Sequence, residues 1–345
     1  MGLGGVLFGR DLAIDLGTTN TRVFLRGRGV VIDEPSVISI DLRTGSLVSA
    51  GIAARDAVGR TSPTMTTVRP LRDGVVSDYR ATEALLRQFI GDASPGGSLA
   101  RSRVIVCVAA GSTDVEQRSI EDAAYAAGAR RVYLLEKPLA AAIGAGVPIF
   151  ENQARLIVDI GGGSTEIATL SRGALIASIT TPVGGDHFDA AIAEYLDQAH
   201  SIQLGERTSE RIKISLGSAL ESDSEPEAEV SGRHSLTGRP HHIKVNAEEI
   251  RTAIMPQLAR IAESVRAVVD HTPPDLTGEL IESGIVLCGG GSQLRGLASY
   301  LSADADLTVR PAADPLLSTV NGAGRCLDDI RALDPILLRR PGRKS

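Results

Sequence analysis

Apolar residues in this chain fall into short runs that break at Asp or glycine, separated by longer stretches with helical spacing. The first part predicts four β segments, Leu12–Leu16, Arg22–Arg26, Gly29–Asp33 and Ser36–Asp41, with Gly27 and Gly29 punctuating a hairpin. Residues 42–69 are polar and turn-rich and suggest a small appended lobe. From Asp78 to Ile90, Ala84, Leu85 and Phe89 recur at helical spacing. Val104–Ala109 reads as a buried strand, and Thr113–Ala127 as a helix that Thr113 and Glu116 can open with a capping box. Val132–Leu135 leads into Pro138 and the helix Leu139–Ala145. Its Ala141, Ala142 and Gly144 allow the close packing that a hinge between two lobes requires.

The second half repeats this plan. Leu156–Ile160, Thr165–Leu170 and Ala174–Thr181 form a strand meander, and a helix follows from Gly184-Gly185-Asp186 to about Ala199, with Phe188, Ile192, Tyr195 and Leu196 on one face. Further helices are predicted over Ser209–Leu220, Glu248–His271, Ser292–Ser302 and Val320–Leu333. The acidic stretch 221–229 reads as a solvated loop. Gly232–Val245 reads as a hairpin whose His234, His241 and His242 make a poor metal cage, since adjacent strand residues point to opposite faces.

Composition narrows the picture without naming a function. A chain of 345 residues allows two domains, and with 3% aromatics and no Trp the core must be Leu, Ile, Val and Ala. The net charge of −6 gives no electrostatic reason to expect a nucleic-acid partner. Three cysteines, Cys107, Cys288 and Cys326, sit among apolar neighbours and suit buried thiols better than a disulfide framework. The first ten residues lack the basic start and long apolar centre of a signal peptide, although Leu3, Val6, Leu7 and Phe8 could touch a membrane.

The candidate chemistry lies where strands break. Leu156–Val158 delivers Asp159 to the turn Gly161-Gly162-Gly163, followed by Ser164 and Thr165. Glycines let backbone N–H groups close on an anion, the hydroxyls add donors, and an Asp at the strand end can hold Mg²⁺ or one of its waters. Alone, such a turn is equally what a hairpin needs. The device recurs at Asp15, Gly17, Thr18 and Thr19, and Ile285–Cys288 gives a third strand that breaks into Gly289-Gly290-Gly291. A repeated Asp before the turn is not required by turn chemistry. The whole therefore reads as a two-lobed α/β protein with a nucleotide in the cleft.

These turns, with the helix at Pro138, resemble the superfamily of actin, sugar kinases and DnaK-type chaperones. The local wording is narrower. Val31-Ile-Asp-Glu-Pro-Ser-Val37, Arg69-Pro-Leu-Arg-Asp-Gly-Val75, Gly128-Ala-Arg-Arg-Val-Tyr-Leu134, Gly205-Glu-Arg-Thr-Ser-Glu-Arg-Ile-Lys213 and Asp314-Pro-Leu resemble the MreB/Mbl family of bacterial actin-like cell-shape proteins, in family order from about residue 11 to 330. The resemblance implies a duplicated, ribonuclease H-like actin fold with four subdomains. They would be a first large one (1–32, 68–148, 311–345), a first small one (33–67), a second large one (149–183, 246–310) and a second small one (184–245). It implies ATP and Mg²⁺ in the central cleft, with Thr18, Thr19, Asn20, Gly162, Gly163 and Ser164 on the phosphates. Glu210, Arg211, Ile212 and Lys213 would lie on the nucleoside, as would Gly290, Gly291, Ser292 and Gln293; Asp15 and Asp159 would lie on the metal side. Glu210 and Lys213 also have the spacing of an ordinary i,i+3 helix ion pair.

The family further implies filaments, peripheral attachment to the inner face of the cytoplasmic membrane, and partnership with membrane-bound cell-wall synthesis and shape proteins. One position departs from the pattern. The residue before the connecting-helix Pro is usually a Glu that orients the attacking water, and here it is Lys137, with Glu136 its neighbour. An ammonium has only donors and cannot take a proton from water. The expectation is a chain that binds ATP but hydrolyses it slowly, as a persistent filament or a non-polymerising regulatory paralogue. A sugar-kinase-type phosphotransferase is the alternative from another class, disfavoured because no family-specific sugar-binding segment is visible.

Overall fold

Every residue of the strand Leu12–Leu16 is buried, and its side chains alternate between two cores. Leu12, Ile14 and Leu16 pack outward under the helices Tyr79–Ala93 and Asp114–Ala126, whereas Ala13 points inward. The computed structural model describes residues 11–58, 64–93, 102–221, 226–330 and 333–338. Its largest sheet has six strands, in the order Leu337–Leu338, Arg131–Glu136, Arg103–Val108, Leu12–Leu16, Asn20–Leu25 and Gly29–Pro35. The second runs Ala174–Thr181, Thr165–Ser171, Arg155–Ile160, Ile285–Cys288, Val309–Pro311. Both sheets contain an antiparallel three-strand meander continued by parallel strands, so the repeat visible in the sequence is a repeat of topology.

Register sharpens the repeat. Asp15 lies opposite Cys107 and Asp159 opposite Cys288, each across the parallel junction of its own sheet. Leu156, Val158 and Ile160 face the second lobe's outer core, and Ile157 faces inward like Ala13. The inner faces meet on two helices, Lys137–Gly144 and Ser318–Cys326. These pack backbone to backbone: a Cβ on Gly144 would lie 1.7 Å from Ser318 O, and one on Gly322 1.8 Å from Ala140 O. Arg325 Nη1 donates to Ile143 O across the same contact at 2.6 Å. All three cysteines are free and buried, Cys107, Cys288 and Cys326 alike in this central layer.

Two small sheets extend from the lobes. Leu47–Ala50, Ile38–Asp41 and Met65–Val68 form one, accompanied by the helix Gly51–Ala57; Ile202–Gln203, Glu227–His234 and Pro240–Asn246 form the other. The acidic stretch read as a loop is strand from Glu227 onward, because Ala228 and Val230 alternate with Glu227 and Glu229 and turn inward against the second lobe's core. His241 and His242 fall opposite Gly232 and Ser231, and His242 Nδ1 lies 2.8 Å from Ser231 Oγ.

Helix limits also shift. The segment predicted from Ser209 runs Glu206–Leu216 and ends at Gly217, where the backbone leaves helical ψ. The helix predicted from Ser292 begins at Leu297, since Gly290–Gln293 is a 3₁₀ turn and Gly296 adopts a φ of 72°. The last helix is Ser318–Cys326, shorter than predicted, and Pro274–Ser283 adds a helix that periodicity did not separate. Thr113 and Glu116 do form the expected capping box. Among the described residues, no helix is long and apolar enough to cross a membrane. Leu3, Val6, Leu7 and Phe8 lie outside the described residues.

Candidate functional site

The carboxyl ends of both central strands open into a cleft of about 440 Å³ between the lobes. In the first turn, Gly17 N donates to Asn20 O at 3.1 Å, and a Cβ on Gly17 would stand 2.5 Å from that oxygen. Thr18 Oγ1 accepts from Gly74 N at 2.9 Å, and the Thr19 hydroxyl reaches the Asp186 carboxylate of the other lobe at 2.9 and 3.0 Å. In the second turn, Gly161 N donates to Ser164 O at 2.9 Å. A Cβ on Gly162 would lie 1.7 Å from Thr19 Oγ1, and one on Gly163 would lie 2.6 Å from Thr18 Oγ1. Threonines of one lobe therefore occupy the space that glycines of the other leave free.

The two turns form the polar end of the cleft, with backbone and hydroxyl donors suited to a polyanion. The opposite end is bounded by Glu210, Lys213 and Ile214 of one helix and by Gly290, Gly291 and Gln293 of the third glycine turn. Leu294 and Leu316 add apolar surface to the lining. Gly291 is required by packing, since its Cβ would meet Ile160 Cγ2 at 2.4 Å. Lys213 is held by Gly185 O at 3.0 Å and Asp189 Oδ2 at 2.8 Å, so its partner is Asp189 rather than a helix neighbour.

A charged cluster lies at the base. Lys137 Nζ is 3.8 Å from Asp15 Oδ1, and Arg22 Nη1 is 3.8 Å from Asp15 Oδ2. Burial pulls the Lys137 pKa down, but Asp15, Glu166 and Asp159 outweigh it and raise the ammonium pKa, so it is charged at neutral pH. Asp159 is pushed up to about 6, first by burial and then by Asp15; Thr319 Oγ1, donating at 2.9 Å, and the cations Lys137 and Arg22 pull the other way. Glu166, 2% exposed, is pushed up to about 7 by burial despite Lys137 and an N–H from Ala110 at 2.8 Å.

Of the sequence-predicted residues, Asp15, Thr18, Thr19, Asn20, Lys137 and Asp159 line the cleft. So do Gly162, Gly163, Ser164, Glu210 and Lys213, together with Gly290, Gly291 and Gln293. Four stand elsewhere. Glu136 accepts a backbone hydrogen bond from Gly111, Arg211 is exposed, Ile212 packs into the second lobe's core, and the Ser292 hydroxyl donates to Gly289 O at 2.7 Å. Arg22, Asp186 and Thr319 line the cleft without having been predicted. An arginine inside an apolar strand was a readable signal for Arg22, which the structure places 9% exposed and opposite Asp15 in register; Thr319 carries none in its local sequence.

A duplicated meander-and-parallel sheet, two backbone-packed helices between the halves and a glycine-lined cleft above them define an actin-like fold. The comparisons agree and are more specific. The model of the MreB/Mbl protein family matches residues 9–335. The cell shape-determining protein Mbl of Bacillus cereus is 39% identical over 96% of this chain and 100% of its own length, and the cell shape-determining protein MreB of Escherichia coli is 41% identical over 94% and 95%. MreB5 of Spiroplasma citri, solved with ADP, superposes with a TM-score of 0.88 at 33% identity, covering 93% of this chain and 97% of its own. A MamK double helical filament superposes at 0.78 with 22% identity over 93% of this chain and 99% of its own, a likeness that bears on the fold alone. The chain belongs to the MreB/Mbl family.

Proposed function

We propose that this chain binds ATP with Mg²⁺ in the interlobe cleft and assembles into cytoskeletal filaments on the inner face of the cytoplasmic membrane, where it helps organise cell-wall synthesis and cell shape. The observation that carries the reading is the interlock of the two glycine turns: Thr18 and Thr19 seat against Gly163 and Gly162, so a polyphosphate between them would contact both lobes at once. Relatives named for determining cell shape support the cellular role. A structure solved with ADP and one solved with AMPPNP, both of MreB5, support the nucleotide.

The donors fit the metal as well. Mg²⁺ favours hard oxygens and takes much of its shell from phosphate and water. Asp15 and Asp159 supply two carboxylates at the strand ends, and no cluster of three His, Cys, Asp or Glu among the described residues could hold a metal by itself. When bound, the ion would neutralise charge on the phosphates.

Lys137 favours slow turnover within this reading. It occupies the position that in the family is usually Glu, it is buried in the cleft, and Glu136 is turned to Gly111. No carboxylate of this helix start faces the cleft to accept a proton from water.

Light scattering and negative-stain microscopy of the purified chain, with and without Mg-ATP, test the proposal. Filaments that need nucleotide are expected. Failure to assemble, combined with phosphate transfer from ATP to one of a panel of sugars, would establish the phosphotransferase instead.

A further inference from the structure

Lys137 does more than remove a carboxylate. It stands 9% exposed at the base of the cleft among Asp15, Asp159 and Glu166, and Arg22 is the other cation of the cluster. Arg22 Nε also lies 3.0 Å from Asp33, so four carboxylates share two cations; with Glu in place of Lys137, five would share one. The exchange adds two units of positive charge, the amount one divalent cation brings.

The geometry leaves that charge usable. The 3.8 Å between Lys137 Nζ and Asp15 Oδ1 is an ion-pair distance beyond hydrogen-bond range, so the ammonium's donors are not spent on Asp15. The carboxylates beside it are engaged independently: Asp15 faces Arg22 on its other oxygen, Asp159 accepts from Thr319, and Glu166 accepts from the Ala110 N–H. Lys137 also lines the cleft together with both glycine turns. A phosphate oxygen between the turns would meet a cation that is part of the chain and needs no recruitment from solution.

We propose that Lys137 is a built-in counter-ion for the polyphosphate, so that this cleft holds its nucleotide with little dependence on a divalent cation. The proposal rests on the nucleotide reading above. It separates two roles that Mg²⁺ otherwise combines, charge neutralisation for binding and activation for hydrolysis, and assigns the first largely to Lys137.

The test is equilibrium titration of fluorescently labelled ATP into the full chain, with excess Mg²⁺ or with excess EDTA at matched ionic strength. Wild type should lose less than about fivefold in affinity when Mg²⁺ is removed, whereas Lys137→Glu should lose about a hundredfold and Lys137→Met about tenfold, the worth of one charge-assisted contact. Lys137→Met keeps volume without adding an acid, and melting curves check that both variants fold. Wild type losing affinity by the same factor as Lys137→Glu would overturn the assignment while leaving nucleotide binding intact. Wild type that binds under neither condition would overturn the nucleotide reading and the proposal with it. The wild-type ratio alone decides the matter even if both variants fail to fold.

Discussion

Asp15 and Asp159 leave equivalent central strands, lie opposite Cys107 and Cys288 in the same register, and precede turns that both begin with a glycine two residues later. Their surroundings differ. Asp15 stands between Lys137 and Arg22, each at 3.8 Å, whereas Asp159, buried to the same degree, accepts from the Thr319 hydroxyl and is pushed up to about 6. The first turn carries hydroxyls, Thr18 and Thr19, that reach across to the second lobe; the second carries the glycines that receive them. The two backbones are alike, and their side chains divide the labour. One half holds the cations and the latch, the other the glycine cradle and a carboxyl that gains from a nearby positive charge.

The largest expected effect comes from reversing the charge on the first side. Lys137→Glu restores a proton acceptor beside the cleft, and a positioned base is worth roughly 10²–10⁴ in rate. Single-turnover phosphate release should therefore rise at least about tenfold over wild type. A wild type that already turns over as fast as the variant would show that Lys137 does not limit hydrolysis.

On the other side, acidity is the probe. Burial holds Asp159 at about 6 and Glu166 at about 7, above the usual carboxyl range. A carboxyl raised in the folded state stabilises fully below its unfolded pKa, and that stabilisation is lost as pH rises through the folded value. The melting temperature of the ligand-free chain should therefore fall between about pH 4 and 7, from the unfolded carboxyl values to the folded ones. Asp159→Asn should flatten the part of the fall between about pH 4 and 6, an effect of at most about 3 kcal/mol. A profile that the substitution leaves unchanged would place the titration elsewhere.

The smallest effect tests the latch. Thr19→Val removes the hydroxyl bonded to Asp186 and leaves that carboxylate without its partner from the first turn, at a cost of about 1–2 kcal/mol. Thermal melts should show the loss. Thr18→Val breaks only the bond from Gly74 N and should cost less. Equal costs would mean that the interlobe bond has no special weight.

Much of this arrangement was legible in the sequence. The paired strand-Asp-glycine pattern fixed both halves of the cleft, and the small residues after Pro138 announced the backbone-close helix contact that Gly144 makes with Ser318. What stayed hidden depends on distant partners. Thr319 reaches Asp159 across 160 positions of chain, and Asp186 meets Thr19 across 167. The family resemblance implied Glu210 to Lys213 as one contact run, but on a helix only Glu210 and Lys213 reach the cleft, and the residues between them, Arg211 and Ile212, turn to solvent and core. The acidic strand from Glu227 was masked by its charge, which obscured the alternation of Ala228 and Val230.

The account stands on one polyphosphate being held by both turns at once. Calorimetric titration of Mg-ATP into wild type, Gly17→Val and Gly162→Val tests this directly, because the two substitutions lie in opposite lobes and each would place atoms inside a contact now 2.5 Å or less from an ideal Cβ. The account predicts one site per chain in wild type and a loss of at least about a hundredfold in affinity from either substitution, with melting curves confirming that each variant folds. Undiminished binding in either folded variant would contradict it.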